Sequence, residues 1–176
     1  MPLYEALANR QTNRDFSPKQ LTDQQLSDVL WCAGGVNREE SGKLTSPTAR
    51  NAQEIDIYVF NEKGVYLYLP KDNMLKQVLK EDHRPDLSGR GGKMTLEAPV
   101  TLLFFANYDK MNGFDEQARG FYGATDAGFV SQNVYLYCAA NHLSTVVMGA
   151  INRDRLTEII PAKGKPILAQ PIGYAK

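Results

Sequence analysis

Cysteine is scarce. Cys32 and Cys138 are the only two in 176 residues, both in apolar-looking helical segments, so no disulfide framework is expected. An excess of either charge is also missing: twenty basic residues balance twenty acidic ones. That balance removes the broad field with which proteins attract nucleic acid or anionic membranes. No apolar run approaches the length of a membrane span, and the longest, "VTLLFF", reads as a buried strand. The opening "MPLYEALANRQ" lacks a signal-type apolar stretch, so the chain reads as a cytoplasmic protein folding as one domain over residues 1–176. There is no Ser-His-Asp set, no pair of catalytic carboxylates and no metal-ligand spacing; His83 and His142 stand alone. No G-x-G-x-x-G occurs, which argues against a Rossmann nucleotide domain.

What is present reads as an α+β pattern, with helices flanking a mostly antiparallel central sheet. "LTDQQLSDVLWCAGG" carries helix signals: Thr22 and Gln25 as a capping box, Leu21 and Leu26 as a staple, and Gly34 as its end. "IDIYVF" and "GVYLYLP" alternate around "NEKG", predicting a hairpin from about 55 to 69. Asp72 is placed to cap a short helix, "NMLKQVLK". "APVTLLFFANY" is apolar without alternation, as a strand covered on both faces would be. Residues 115 to 142 hold no proline and read as one long helix, with Gly120 and Gly123 as places where it could break. "STVVMGAI" reads as a strand, "RDRLTEII" as a helix and "KPILAQPIGY" as a final extended segment.

Two stretches carry candidate chemistry. In "NRQTNRDF" a helix would bring Arg10 and Arg14 together, with Thr12 between them. Two guanidinium forks and a hydroxyl suit a phosphate monoester of about two negative charges. The same arginines would equally be solvated, or paired with Glu5 and Asp15. In "SPTARNAQEIDIYVF" a Ser-Pro turn leads through Asn51 and Gln53 directly into a strand. Such a stiff turn can hold amides and backbone groups at the edge of a flat heterocycle. It would also serve as a plain helix start, with Ser46 as N-cap and Pro47 after it. Gly149, after Val146, Val147 and Met148, would let backbone approach a planar ring, or simply mark a strand end.

Together these stretches resemble the FMN-dependent nitroreductase family. "RQTNRDF" is similar to its Arg-x-Ser/Thr-x-Arg/Lys-x-Phe segment, and "SPTARNAQ" to its Ser-Pro-Ser/Thr-x-x-Asn-x-Gln segment. "DAGFVSQNVYLYCAANHL" looks like the family's long interface helix. The hairpin leans toward the small branch that includes dehydrogenases of azole-peptide synthesis. The resemblance implies an interlocked homodimer with FMN between the subunits, close-packed at Gly128 and Ala139. It places Arg10, Gln11, Thr12 and Arg14 at the phosphate and ribityl chain, with Ser46, Pro47, Thr48 and Asn51 reaching the flavin from the partner. Lys93, with Arg90 as a second cation in the "SGRGGKMTLEAP" loop, would stand near the ring. Gln132, Val147, Met148, Gly149 and Ala150 complete the implied set.

Chemistry would then rest with FMN, passing hydride or electrons from NAD(P)H to a flat acceptor by a ping-pong scheme. A storage or sensing protein that binds FMN without turnover is the alternative. Two departures stand out. The C-terminus leaves only Lys176 where larger members have a basic tail, and Met148 stands where an acidic residue is common.

Overall fold

A computed structural model describes residues 1–88 and 92–176; Arg90 lies outside the described residues. Helix α1 spans Leu3–Asn9 and α2 spans Asp23–Gly34. A short hairpin follows, β1 (Val36–Arg38) and β2 (Lys43–Leu44). Then come β3 (Ile55–Asn61), β4 (Gly64–Leu69) and β5 (Met74–Lys80). Two short helices, α3 (Arg84–Leu87) and α4 (Gly92–Glu97), precede β6 (Val100–Asn107). The chain ends with α5 (Glu116–Ala140), β7 (Leu143–Thr145), α6 (Arg153–Ile159) and β8 (Gly164–Tyr174). No described helix is long and apolar enough to cross a membrane.

The main sheet has the order β5-β4-β3-β6-β8-β7, and its neighbouring strands run antiparallel. Period-two alternation in the central strands builds the core on both faces. Ile57, Val59, Leu102 and Phe104 pack with Val29 and Leu30 of α2 and Val130 and Val134 of α5. Tyr58, Phe60, Leu103 and Phe105 turn the other way and pack with Leu156 of α6, Met148 and Ile151. The expectation of a strand covered on both faces holds for β6.

The α2 start forms as its sequence predicts. Thr22 Oγ1 accepts the Gln25 N–H at 3.1 Å, and Gln25 Oε1 accepts the Thr22 N–H at 3.0 Å. The 55–69 hairpin, the α6 helix and the closing strand also form where expected. Helix α5 runs unbroken through Gly120 and Gly123. Gly123 is there for packing, because a Cβ would come within 2.9 Å of the Ala106 Cβ.

Three expectations fail locally. "NMLKQVLK" is strand β5, not a helix. Its apolar pairs four apart mimic helical spacing, but the ladder slips between Val65 and Tyr66, opposite Leu79 and Gln77, leaving Val78 as an extra residue. Leu75 therefore packs with the α5-side core while Leu79 packs with the α6-side core. The "SGRGGKMTLEAP" stretch is not all loop, since Gly92–Glu97 is α4. "STVVMGAI" is strand only to Thr145; beyond it Met148 makes an isolated antiparallel bridge to Ala169.

Candidate functional site

Residues 10–14 are not helical, because α1 ends at Asn9 and Arg10 already has an extended ψ of 119°. The helix expected to pair Arg10 with Arg14 therefore does not form. Arg10 and Thr12 both turn to Tyr135 of α5. The Arg10 guanidinium lies 5.2 Å from the Tyr135 ring centroid, and Thr12 Oγ1 is 3.0 Å from the Tyr135 hydroxyl. Gln11 and Asn13 line a cavity of about 360 Å³ with Tyr135, His142 and Ser144. His142, expected at a helix end, follows α5 in left-handed backbone (φ 54°), which explains why a glycine would suit its place.

The stretch is fixed at both ends. Asn13 N–H donates to Thr145 C=O at 3.0 Å, and Ser17 N–H to Tyr174 C=O at 2.8 Å. Phe16 is fully buried between Ala98 and Val146, with Met94 of α4 packed alongside. Arg10 is half-buried and Arg14 exposed, and among the described residues neither pairs with Glu5, Asp15 or any other carboxylate. Two permanent charges are therefore left unneutralised beside a rigid backbone.

Beside them runs the segment from Val147 to Ala150. Val147 N–H donates to the Tyr135 hydroxyl at 2.9 Å. Met148 is buried, and its N–H and C=O both pair with Ala169, at 2.7 and 3.0 Å. Gly149 and Ala150 are exposed, and among the described residues their N–H groups have no acceptor. A Cβ at Gly149 would meet only Leu168 Cδ2, at 4.0 Å, so nothing within the chain demands glycine there. The open part of this ledge is thus Gly149 and Ala150. Lys93, on α4, is 83% exposed and pairs at 3.6 Å with Glu97. Glu97 also takes Lys176, at 3.3 Å.

The second stretch is a strained turn. Arg50, Asn51 and Gln53 all have left-handed backbone, with φ of 53°, 54° and 51°. Such residues each cost on the order of 1–3 kcal/mol and persist where surroundings over-determine them, commonly at binding sites. Ser46 is buried and does not cap a helix; the short 3₁₀ turn Ala49–Asn51 starts instead from Thr48, with Pro47 exposed before it. Thr48 Oγ1 accepts the Gln53 N–H at 3.0 Å, and Asp126 of α5 accepts the Ala49 N–H at 2.9 Å. Gln53 reaches back to Gly42 C=O at 2.9 Å, leaving Asn51 exposed at the rim of a cavity of about 670 Å³. Beneath the turn, Glu54 is fully buried next to Asp126. Burial, and then the Asp126 carboxyl, push Glu54 up to about 7 despite its own backbone N–H and Lys110.

One chain does not bring the two stretches together. Their anchors on α5, Asp126 and Tyr135, are nine residues apart, which is roughly 14 Å along the axis and about two and a half turns. Between those edges α5 exposes Gly128, Phe129 and Gln132, Phe121 is exposed just before Asp126, and α1 exposes Leu3, Tyr4 and Leu7. Gln132 points outward, whereas its neighbour Asn133 is occupied with Cys32 C=O at 2.9 Å. Sequence reasoning overlooked Tyr135 and the Glu54–Asp126 pair. Tyr135 falls in an apolar helix period, and the two acids are 72 positions apart.

A sequence model of the nitroreductase family matches residues 7–174. A protein of Methanocaldococcus jannaschii, provisionally named a nitroreductase, is 33% identical over 180 residues, covering 97% of this chain and 90% of its own. A crystal structure from Ralstonia eutropha JMP134, with the same provisional name, is 36% identical with a TM-score of 0.91, over 100% of this chain and 84% of that one. At 18% identity the fold is shared with a provisionally named nitroreductase of Desulfovibrio desulfuricans solved in complex with FMN, with a TM-score of 0.70 over 99% and 87% of the two chains. The chain belongs to the nitroreductase family and is an oxidoreductase of that fold.

Proposed function

We propose that the protein is an FMN-dependent oxidoreductase working as a homodimer. It takes reducing equivalents from NAD(P)H and delivers them, in a ping-pong sequence, to a small flat acceptor such as a nitroaromatic, quinone or enone. The observation that carries this reading is the pairing of two unneutralised arginines with an adjacent open backbone ledge. Arg10 and Arg14 suit the phosphate of FMN, and Thr12 and Gln11 its ribityl chain. At Gly149 and Ala150 the missing Cβ and the unspent N–H groups suit a polar ring edge lying flat. The FMN found in the Desulfovibrio protein supports the same reading.

FMN supplies the hydride and electron exchange; this chain binds, orients and shields it. The exposed arc of α5 separates the two anchored stretches, so a second copy laid against that arc is the simplest way to complete the site. Its Ser46, Pro47, Thr48 and Asn51 would then meet the first copy's Arg10–Arg14 stretch. Gln132 lies on the same arc, and Lys93 carries a positive charge on α4, which packs through Met94 against Phe16 and Val146.

The deciding measurement is an absorbance spectrum of the purified protein, before and after anaerobic NADH or NADPH. Flavin bands that bleach are expected. Bands that neither nucleotide bleaches would favour an FMN-binding protein without turnover, and a protein that takes up no FMN would overturn the reading. A companion variant probes the ledge. Gly149→Val is expected to leave unfolding within about 0.5 kcal/mol, because the space there is open. The same variant is expected to weaken FMN binding at least tenfold by filling that space. Wild-type affinity in Gly149→Val would remove the ledge from the site.

A further inference from the structure

We infer that Tyr135 is a positioning residue that locks the phosphate-facing stretch to the cofactor-facing ledge; the inference rests on the FMN reading above. Tyr135 is 7% exposed, and its hydroxyl is a two-way joint. It accepts the Val147 N–H at 2.9 Å and sits 3.0 Å from Thr12 Oγ1. Its ring meanwhile lies under the Arg10 guanidinium at 5.2 Å. One side chain on α5 thus fixes three things: the Thr12 hydroxyl, the direction of the Arg10 fork, and the backbone two residues before Gly149. Among the described residues, the Asn13–Thr145 backbone bond and the Phe16–Val146 packing also join stretch and ledge without passing through it. Those set the spacing of the two segments, but neither orients Arg10 or the Val147 peptide. The Val147 N–H is spent on a side chain and the Met148 N–H on Ala169, so the open donors of the ledge begin at Gly149.

The test uses Tyr135→Phe, which keeps the ring under Arg10 and removes only the joint, beside Tyr135→Leu, which removes both. FMN dissociation constants are measured by fluorescence titration of the apoprotein, with apoprotein melting and the visible circular dichroism of bound FMN followed in parallel. Tyr135→Phe is expected to bind FMN roughly tenfold more weakly, and Tyr135→Leu more weakly again. The dichroism of what remains bound is expected to change, a readout that lost packing alone would not move. Thr12→Val removes the other end of the joint together with the hydroxyl assigned to the ribityl chain, and the Thr12→Val/Tyr135→Phe double variant is expected to lose clearly less than the sum of the two single losses. Wild-type affinity and dichroism in Tyr135→Phe would overturn the inference, as would strict additivity in the double variant. If Tyr135→Phe fails to fold, wild-type affinity in Thr12→Val overturns it and a several-fold loss supports it. A wild-type protein that binds no FMN would instead sink the proposed function.

Discussion

Arg14→Ala is expected to lower FMN affinity by one to two orders of magnitude, and Arg10→Ala/Arg14→Ala by about three or more. Hydrogen bonds to charged groups contribute about 1.5–3 kcal/mol each, and a phosphate monoester carries about two charges for these forks to meet. Arg14 is exposed and lacks a carboxylate partner among the described residues, so its removal breaks no internal pair. Apoprotein stability is expected to stay within about 0.5 kcal/mol. Arg14→Lys keeps the charge and loses the fork, so it is expected to fall between wild type and alanine. Lys176 offers little compensation while Glu97 holds it at 3.3 Å. The measurement is a fluorescence titration of apoprotein with FMN at two salt concentrations. Undiminished affinity in Arg14→Ala would remove that residue from the phosphate role. A loss equal at low and high salt would show that charge is not what Arg14 contributes.

The fold was legible where one physical signal acted alone. The α2 capping box, the β3–β4 hairpin and the doubly buried β6 follow from capping chemistry, alternation and composition. The errors arose where tertiary geometry overrode a local pattern. In β5 the slip opposite Val65 and Tyr66 sends residues four apart to opposite faces, and no one-dimensional period reveals a bulge. In the Arg10–Arg14 stretch the helix that the four-residue spacing suggested is absent, because α1 ends at Asn9. The ledge shows a finer limit. Val147, Met148, Gly149 and Ala150 read as equivalent in the sequence, yet two of their four N–H groups are already spent, on Tyr135 and Ala169. Only three-dimensional hydrogen-bond accounting separates the open donors from the closed ones.

Stability is expected to fall as pH rises from about 5 to 8, because of Glu54. Its carboxyl is fully buried without a well-formed hydrogen bond among the described residues, and its own backbone N–H and Lys110 only partly offset that burial. The two adjacent carboxyl groups can hydrogen-bond to each other only when the pair holds a proton. Asp126 is already committed as an acceptor of the Ala49 N–H, and Lys110, the nearby cation, is paired with Asp56 at 2.6 Å. Burial first, and the Asp126 carboxyl second, raise Glu54 from 4.5 to about 7. The folded protein thus binds more protons than the unfolded chain between those two values, and the free energy of unfolding declines with pH across that interval. The contribution is complete below about pH 4.5 and lost above about pH 7. Asp82 acts in the opposite sense but lower down, since Arg84 holds it below its ordinary 3.8. Urea unfolding between pH 5 and 8 isolates the Glu54 effect. Glu54→Gln supplies a permanent donor to Asp126, so it is expected to flatten the slope and to be the more stable protein at pH 8. A wild type with no slope, or a glutamine variant that keeps it, would show that the buried proton is not there. The pair adjoins the strained turn of Arg50, Asn51 and Gln53, and its Asp126 member holds that turn against α5 by accepting the Ala49 N–H.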